Sequence, residues 1–401
     1  MTTTNTNGPL KGLRMIEMGQ LLAGPFCGQL MADFGCEVIK IEQPNAGDPM
    51  REWGREKAGG KSLWWPVVGR NKKCITLNAR VPEGQEIIKT LVKKSDFLLE
   101  NFRPGTMEKW NLSYETLSAI NRGLIMVRVS GYGQTGPYAP RAGYAAVGEA
   151  MGGLRYCVGD PSTPPSRVGI SLGDTTAATY ACMGALMALQ HRHNTGRGQV
   201  VDSAIYESVL QMMESLITEY DKVGYVRERT GSKLPNVAPS NVYPAKDGDF
   251  LIAANQDSVF KRLAEAMGQP ELGDDPKYNN HNARGARQVE LDEIIGQWTK
   301  TKTVKELEDI TNASGVPSGV LYRAPEMLAD PHFKAREAIV EVLDKHHGTL
   351  KMQNAFPKLS DSPGGVSWTG PDQGEHNEEI YKGFLGMSDK TFDDYKSKGI
   401  I

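Results

Sequence analysis

Residues 13–42 read LRMIEMGQLLAGPFCGQLMADFGCEVIKIE, and this stretch decides the fold. The apolar run at 13–18 predicts a strand, 19–24 a loop, and 25–35 a helix opened by Pro25 and closed by Gly35. Residues 36–42, CEVIKIE, predict a second strand. Strand, helix and strand within about thirty residues make a βαβ unit, with parallel strands and a right-handed crossover. The pattern recurs downstream, where strands at 74–78, 96–101 and 124–130 alternate with helices at 82–94 and 113–121. That alternation predicts a doubly wound α/β sheet. Such sheets bind ligands at the carboxyl ends of their strands, which here are the loops at 19–23, 43–51, 101–105 and 131–144.

Further along, residues 169–198, GISLGDTTAATYACMGALMALQHRHNTGRG, set one acidic residue, Asp174, at the mouth of an almost wholly small or apolar helix. That helix is expected over 175–190 and buried on most sides, with Gly173 leaving the approach to Asp174 open. Amides at a helix N-terminus stabilise an ionised carboxylate, and scarce water leaves it more nucleophilic. Taken alone, the same residue reads as a helix N-cap, where Asp is common. A strand at 199–205 and a long one-faced helix at 206–223 follow. Residues 227–241 are rich in Pro, Ser, Gly and Asn and mark a linker. The expected division is a large domain over 1–225, a smaller α/β domain over 226–341, and a segment over 342–401 that rejoins the large domain.

Composition excludes more than it assigns. The chain is 39% hydrophobic and 23% charged with a formal net charge of −2, which gives no basis for binding nucleic acid or an anionic membrane. The N-terminal MTTTNTNGPLKG lacks the features of a signal peptide, and the apolar runs are too short to span a bilayer, so a soluble cytoplasmic protein is expected. The five cysteines are scattered without CxxC spacing and are expected to be buried, reduced thiols rather than disulfide or metal ligands. The first histidine is His191, so His-based acid/base chemistry in the large domain is disfavoured; His191 and His193 read as solvated residues at a helix end. Gly131, Gly133 and Gly136 satisfy GxGxxG, but Pro137, Pro140 and Arg141 follow where a dinucleotide site needs a helix. A tight loop is expected there, and no NAD. Basic residues gather near the strand ends: Arg70, Lys72, Lys73 and Arg80, then Arg103 and Lys109, then Arg141. Together they suit a ligand carrying several phosphates.

With these residues in view, the segments at 22–51, 69–78 (GRNKKCITLN), 98–110 (LLENFRPGTMEKW) and 131–144 (GYGQTGPYAPRAGY), the LGD before the apolar helix, and the late GEHNEEIY at 374–381 resemble class III coenzyme A-transferases, the formyl-CoA transferase group. The resemblance runs nearly the full chain, in order. It implies an open Rossmann-like parallel sheet in the large domain, a smaller domain, and an interlocked homodimer. It matches Asp174 to the family's catalytic aspartate, which forms aspartyl anhydride and aspartyl-CoA thioester intermediates. It also places Leu22, Ala23, Leu77, Asn78, Arg80, Asn101, Phe102, Arg103, Lys109, Arg141 and Tyr144 along coenzyme A, which is a substrate; neither metal nor NAD is implied.

Three departures bear on substrate. Gln43 stands where many members carry arginine beside the adenine. Gly143, Tyr144 and Ala145 replace the Gly-His-Asp of the racemase branch, removing a proton carrier. Residues 235–243, PNVAPSNVY, stand in place of the four-glycine loop of formyl-CoA transferase. The reading is transfer of CoA from an acyl-CoA, with succinyl-CoA the expected donor, to a small carboxylate such as a dicarboxylate or a sulfinate analogue. The alternatives are an acyl-CoA racemase or isomerase and a catalytically silent acyl-CoA binding protein.

Overall fold

The computed structural model describes residues 8–401; the first seven residues of the stretch read above for a signal peptide lie outside the described residues. Six strands, β1 (Arg14–Glu17), β2 (Glu37–Glu42), β3 (Lys72–Thr76), β4 (Phe97–Glu100), β5 (Ile125–Ser130) and β6 (Val200–Ala204), form one sheet in the order β3-β2-β1-β4-β5-β6. Every pairing in it is parallel; Ile16 lies opposite Ile39 on one side and Leu98 on the other. The strands alternate their side chains between two apolar layers. Ile16, Ile39, Leu98 and Met126 enter one core, and Met15, Val38, Phe97 and Val127 enter the other. Burial on both faces explains why these strands read as apolar runs rather than alternating ones.

Helix α1 (Pro25–Asp33) packs in the second layer, and α2 (Pro82–Val92) in the first through Ile87, Ile88, Leu91 and Val92. Between β4 and β5 lie α3 (Thr106–Lys109) and α4 (Tyr114–Ile120), the latter capped by the Ser113 side chain. After β5 come α5 (Ala145–Met151), α6 (Leu172–Thr195), α7 (Ile205–Gln211) and α8 (Leu216–Val223).

Three helix expectations are corrected. The helix expected to begin at residue 175 begins at Leu172, because the Thr175 N–H donates to the Ser171 carbonyl at 3.1 Å and makes Ser171 the N-cap. Nor is α6 buried on most sides: Ala177, Ala181, Ala185 and Ala188 are fully buried, but Met183, Leu186 and Met187 are 43%, 40% and 61% exposed in this chain. The single helix expected over 206–223 is two, α7 and α8, separated by residues that include Glu214 at φ +53°. The chain leaves one compact unit for the other between Ser215 and Leu216, a change that helical periodicity does not register.

One unit holds the sheet together with Val168–Ser215 and His332–Ile401; the other holds Arg155–Arg167 and Leu216–Pro331. The boundaries expected at 225/226 and 341/342 therefore fall elsewhere. The second lies inside β10 (Ile339–Asp344), which pairs with β11 (Gly348–Gln353) and cannot be divided from it. The other unit carries an antiparallel sheet in the order β9 (Ser318–Val320), β8 (Asp249–Ala253), β7 (Ser240–Pro244). Its core includes Phe250, Ile252, Phe260, Leu291 and Leu307.

In the large unit the C-terminal segment closes the edge of the sheet at β3. The Cys74 and Thr76 N–H groups donate to His376 Nδ1 (3.1 Å) and Asn377 Oδ1 (2.9 Å), and the Tyr381 hydroxyl donates to the Thr76 carbonyl at 2.6 Å. This satisfies backbone groups that an open edge strand would leave for another chain. Ile380, Phe392, Ile400 and Ile401 complete the first core.

Cys27, Cys36 and Cys74 are buried, whereas Cys157 and Cys182 are only half-buried, so the expectation of five buried thiols is corrected for these two; all five are free. Among the described residues no helix is long and apolar enough to cross a membrane.

Candidate active site

The order β3-β2-β1-β4-β5-β6 reverses direction between β1 and β4, so the loops leaving those two strands part and open a crevice. Asn101, just past β4, clamps the loop after β1: its Nδ2 donates to the Gln20 carbonyl at 2.9 Å and its Oδ1 accepts from the Gln20 N–H at 2.8 Å. The next residue, Leu21, sits at φ +63°, a left-handed conformation that costs a side-chain-bearing residue on the order of 1–3 kcal/mol. Its N–H donates to Asp48 Oδ1 at 3.0 Å, which holds the loop in that shape.

Beneath this loop lies a buried charge network. Lys40 Nζ reaches Glu17 at 3.1 Å, Asp48 at 2.8 Å and the Gly19 carbonyl at 2.8 Å, and Lys72 Nζ reaches Glu17 at 2.8 Å and the Pro25 carbonyl at 2.7 Å. Burial works against the charge on Lys40, but the carboxylates of Asp48, Glu17 and Glu42 override it and raise its pKa. Burial likewise opposes the Asp48 carboxylate, yet Lys40 and the Met50 and Leu21 N–H groups hold it below its ordinary range. The pairs anchor both ends of the loop that enters the crevice.

Three members of the basic cluster are therefore structural. Lys72 is fully buried on Glu17; Arg70 is buried on Asp33, at 3.0 and 2.6 Å; Lys73 pairs with Glu37 and Glu379. Sequence spacing placed them near a strand end. Their long side chains instead run to carboxylates that the fold brings from distant positions.

Two adjoining cavities open along the crevice, and they share Gln20 and Phe102. The first, about 220 Å³, is lined by Asp174, Leu22, Ala23, Asn101, Phe102, Arg103 and Tyr144, with Trp53, Ser130 and Ile205. The second, also about 220 Å³, is lined by Leu77, Arg80 and Phe102, with Gln43, Thr106 and Trp110. Phe102 and Trp110 meet edge to face, their ring centroids 5.0 Å apart. Asp174 is the third residue of α6, half-buried in the first turn, where the helix dipole is positive. Asn78, Lys109 and Arg141 line neither cavity. The Asn78 side chain accepts from the Arg80 N–H, Lys109 ends α3 exposed beside Trp110, and the Arg141 guanidinium stacks 3.6 Å from the centroid of Tyr138.

GYGQTG forms a loop after β5. Gly131 and Gly143 approach so closely that a Cβ on either would lie 2.8 Å from the other's Cα, which closes the loop on itself beside Asp174's cavity. His191 and His193 are exposed in the last turns of α6, and no histidine lines either cavity. Among the described residues no cluster of His, Cys, Asp or Glu is arranged to hold a metal ion. The sequence reading missed Gln20 and Trp53. Gln20 lay within a named ligand loop, and Trp53 follows another by two residues, so each had a positional signal but no chemical one.

Beneath Phe102, Glu100 is almost wholly buried. It accepts from Arg128 Nε at 2.7 Å and from the Phe102 N–H at 2.7 Å. Burial pushes its pKa up to about 7 despite Arg128. With the folded value above the unfolded one, the folded state binds the extra proton, so this group stabilises the fold at acidic pH and loses that contribution as pH rises from about 4.5 to about 7. Urea unfolding of Glu100→Gln across that range should show a flatter fall in stability than the unsubstituted protein; an identical slope would remove Glu100 as its source.

The sequence from residue 10 to residue 377 matches the family model of CoA-transferase family III. Over 100% of both chains it is 55% identical to the succinyl-CoA–D-citramalate CoA-transferase of Chloroflexus aurantiacus. It is 42% identical, again over 100% of both chains, to the succinyl-CoA–L-malate CoA-transferase beta subunit of the same organism. The crystal structure of a CAIB/BAIF family protein from Brucella suis superposes with a TM-score of 0.83 at 32% identity, covering 94% of this chain and 99% of that one. The parallel sheet with a carboxylate at its switch-point crevice and these likenesses together place the chain: it belongs to the CoA-transferase family III.

Proposed function

We propose that this enzyme moves coenzyme A from succinyl-CoA to a dicarboxylic acid through Asp174. One Asp174 oxygen attacks the thioester carbonyl carbon; the C–S bond breaks, and a mixed anhydride and CoA thiolate result. The thiolate attacks the aspartyl carbonyl, giving an aspartyl-CoA thioester and releasing succinate. The acceptor carboxylate then attacks that thioester, and the freed thiolate takes the acceptor's acyl group and restores Asp174. Every nucleophile and leaving group is an anion, so no proton carrier is required. A crevice without histidine suits this sequence of steps.

The observation that carries the proposal is Asp174 in the first turn of α6, lining the switch-point cavity. The donor and acceptor class are supported by relatives whose names pair succinyl-CoA with citramalate and malate; a sulfinate analogue of a dicarboxylate presents the same charge on a pair of oxygens. Coenzyme A runs across both cavities, its phosphates near Arg80, Arg103, Lys109 and Arg141 and its adenine toward Gln43. Leu22, Ala23, Leu77, Asn101, Phe102 and Tyr144 shape the groove, and Asn78 holds the Arg80 backbone beside it. Incubation with succinyl-CoA, hydroxylamine trapping and peptide mapping tests this: modification at Asp174 supports it, and CoA turnover with Asp174 unmodified refutes it.

Alanine at Arg80, Arg103, Lys109 or Arg141 should raise the Kd for CoA about tenfold per lost phosphate contact, with kcat little changed and the loss shrinking in salt. Unchanged Kd at all four positions would dissolve the collar. The chain is further proposed to act as an interlocked homodimer, in which the exposed Met183, Leu186 and Met187 are covered. Light scattering at the mass of one chain would contradict this.

A further inference from the structure

Where α5, α6 and α7 meet, glycines let the backbones approach. A Cβ on Gly148 would lie 2.4 Å from Ile205 Cγ2, and one on Gly152 would lie 2.7 Å from the Tyr206 carbonyl oxygen, so α5 can press on α7 only with glycine at both positions. A Cβ on Gly173 would lie 3.1 Å from Glu149 Cγ and 3.2 Å from the Ala145 carbonyl oxygen. This packing puts the Glu149 side chain under the first turn of α6, at 0% exposure, with Oε1 accepting from the Gly173 N–H at 3.1 Å. A buried carboxylate is costly to keep unless hydrogen bonds offset its desolvation. Here it takes one of the amides that a helix N-terminus leaves without an intrahelical partner. The residue that follows Gly173 is Asp174.

We infer that Glu149 is a positioning residue for Asp174: its buried carboxylate holds the Gly173 N–H and so fixes the turn that presents Asp174 to the cavity. The inference rests on the reading of Asp174 as nucleophile. Attack on a thioester needs reacting atoms in a narrow geometry, where a displacement of about 1 Å can cost roughly a hundredfold in rate. Fixing the turn from beneath, on the side away from substrate, supplies that constraint without occupying the site.

The test compares Glu149→Gln, Glu149→Asp and Glu149→Ala in single-turnover acylation of Asp174 by succinyl-CoA, alongside kcat, KM and the Kd for CoA. Gln keeps an oxygen that can accept the same bond and should stay within about threefold of the unsubstituted rate. Asp, shorter by a methylene, and Ala should slow acylation and kcat by roughly thirtyfold or more, with the Kd for CoA nearly unchanged. Should Glu149→Ala not fold, Glu149→Asp carries the comparison. Acylation at the normal rate in the Ala or Asp variant overturns the inference, as does a Gln variant as slow as Ala, or CoA affinity lost in parallel with rate. No adduct on Asp174 in the unsubstituted protein overturns instead the nucleophile reading, so the two failures are told apart.

Discussion

Asp174→Ala is expected to lose CoA transfer by roughly a thousandfold or more, the scale on which removing a covalent nucleophile acts. The Kd for CoA should stay within about threefold, because the remaining cavity walls, from Leu22 to Tyr144, are untouched. Asp174→Glu is expected to fail as well: an added methylene moves the carboxylate by about 1 Å and out of line with the thioester carbon, costing on the order of a hundredfold. Asp174→Asn separates charge from shape, since an amide of the same size is a poor nucleophile. Steady-state transfer from succinyl-CoA, paired with calorimetric CoA titration, reads both quantities. Turnover retained in Asp174→Ala would remove the covalent route; CoA binding lost with it would make Asp174 a structural residue of the pocket.

Lys40→Met is expected to cost about 3–5 kcal/mol of stability, the range for breaking a buried ion pair by removing one partner. Lys40 is 1% exposed and joins Glu17, Asp48 and the Gly19 carbonyl. Lys72 remains to hold Glu17, but Asp48 loses its cation while still carrying the Leu21 and Met50 N–H groups. Urea unfolding at neutral pH measures the loss. Its pH dependence has a sign. The depressed pKa of Asp48 gives stability that is present above its unfolded value and lost as pH falls through the folded one; the raised pKa of Lys40 gives stability lost only in strong alkali. The gap between variant and unsubstituted protein should therefore be widest near neutrality and close in acid. A gap that does not narrow in acid would place the effect in packing rather than charge. Because Asp48 also holds Leu21 in its left-handed conformation, the variant should weaken CoA binding as well.

The βαβ unit at the start of the chain was legible because its signals are local: the apolar run around Met15 and Ile16 and the Pro25 helix start are written in adjacent residues. The parallel sheet, its switch-point loops and Asp174 at a helix mouth followed from that local grammar, and the family motifs named the chemistry it resembles. What sequence misplaced depended on partners far along the chain. Lys72 and Arg70 looked like members of a phosphate collar because spacing shows where a residue starts and not which carboxylate its side chain reaches; Glu17 and Asp33 meet them only across the folded sheet. The break between α7 and α8 was invisible because both halves keep a helical period while the chain passes between compact units.

The sequence by itself therefore determined the alternation of strands and helices that builds the parallel sheet, the strand-end loops that part at its crevice, and Asp174 at the mouth of a helix. Only tertiary structure decided which cations are committed to buried pairs, how Asn101 and Asp48 shape the loop above them, and that Glu149, 25 residues before Asp174, lies beneath its helical turn. The physical reason is that burial and ion pairing depend on long-range closure of the chain. Helix and strand periods are set by neighbours a few residues away.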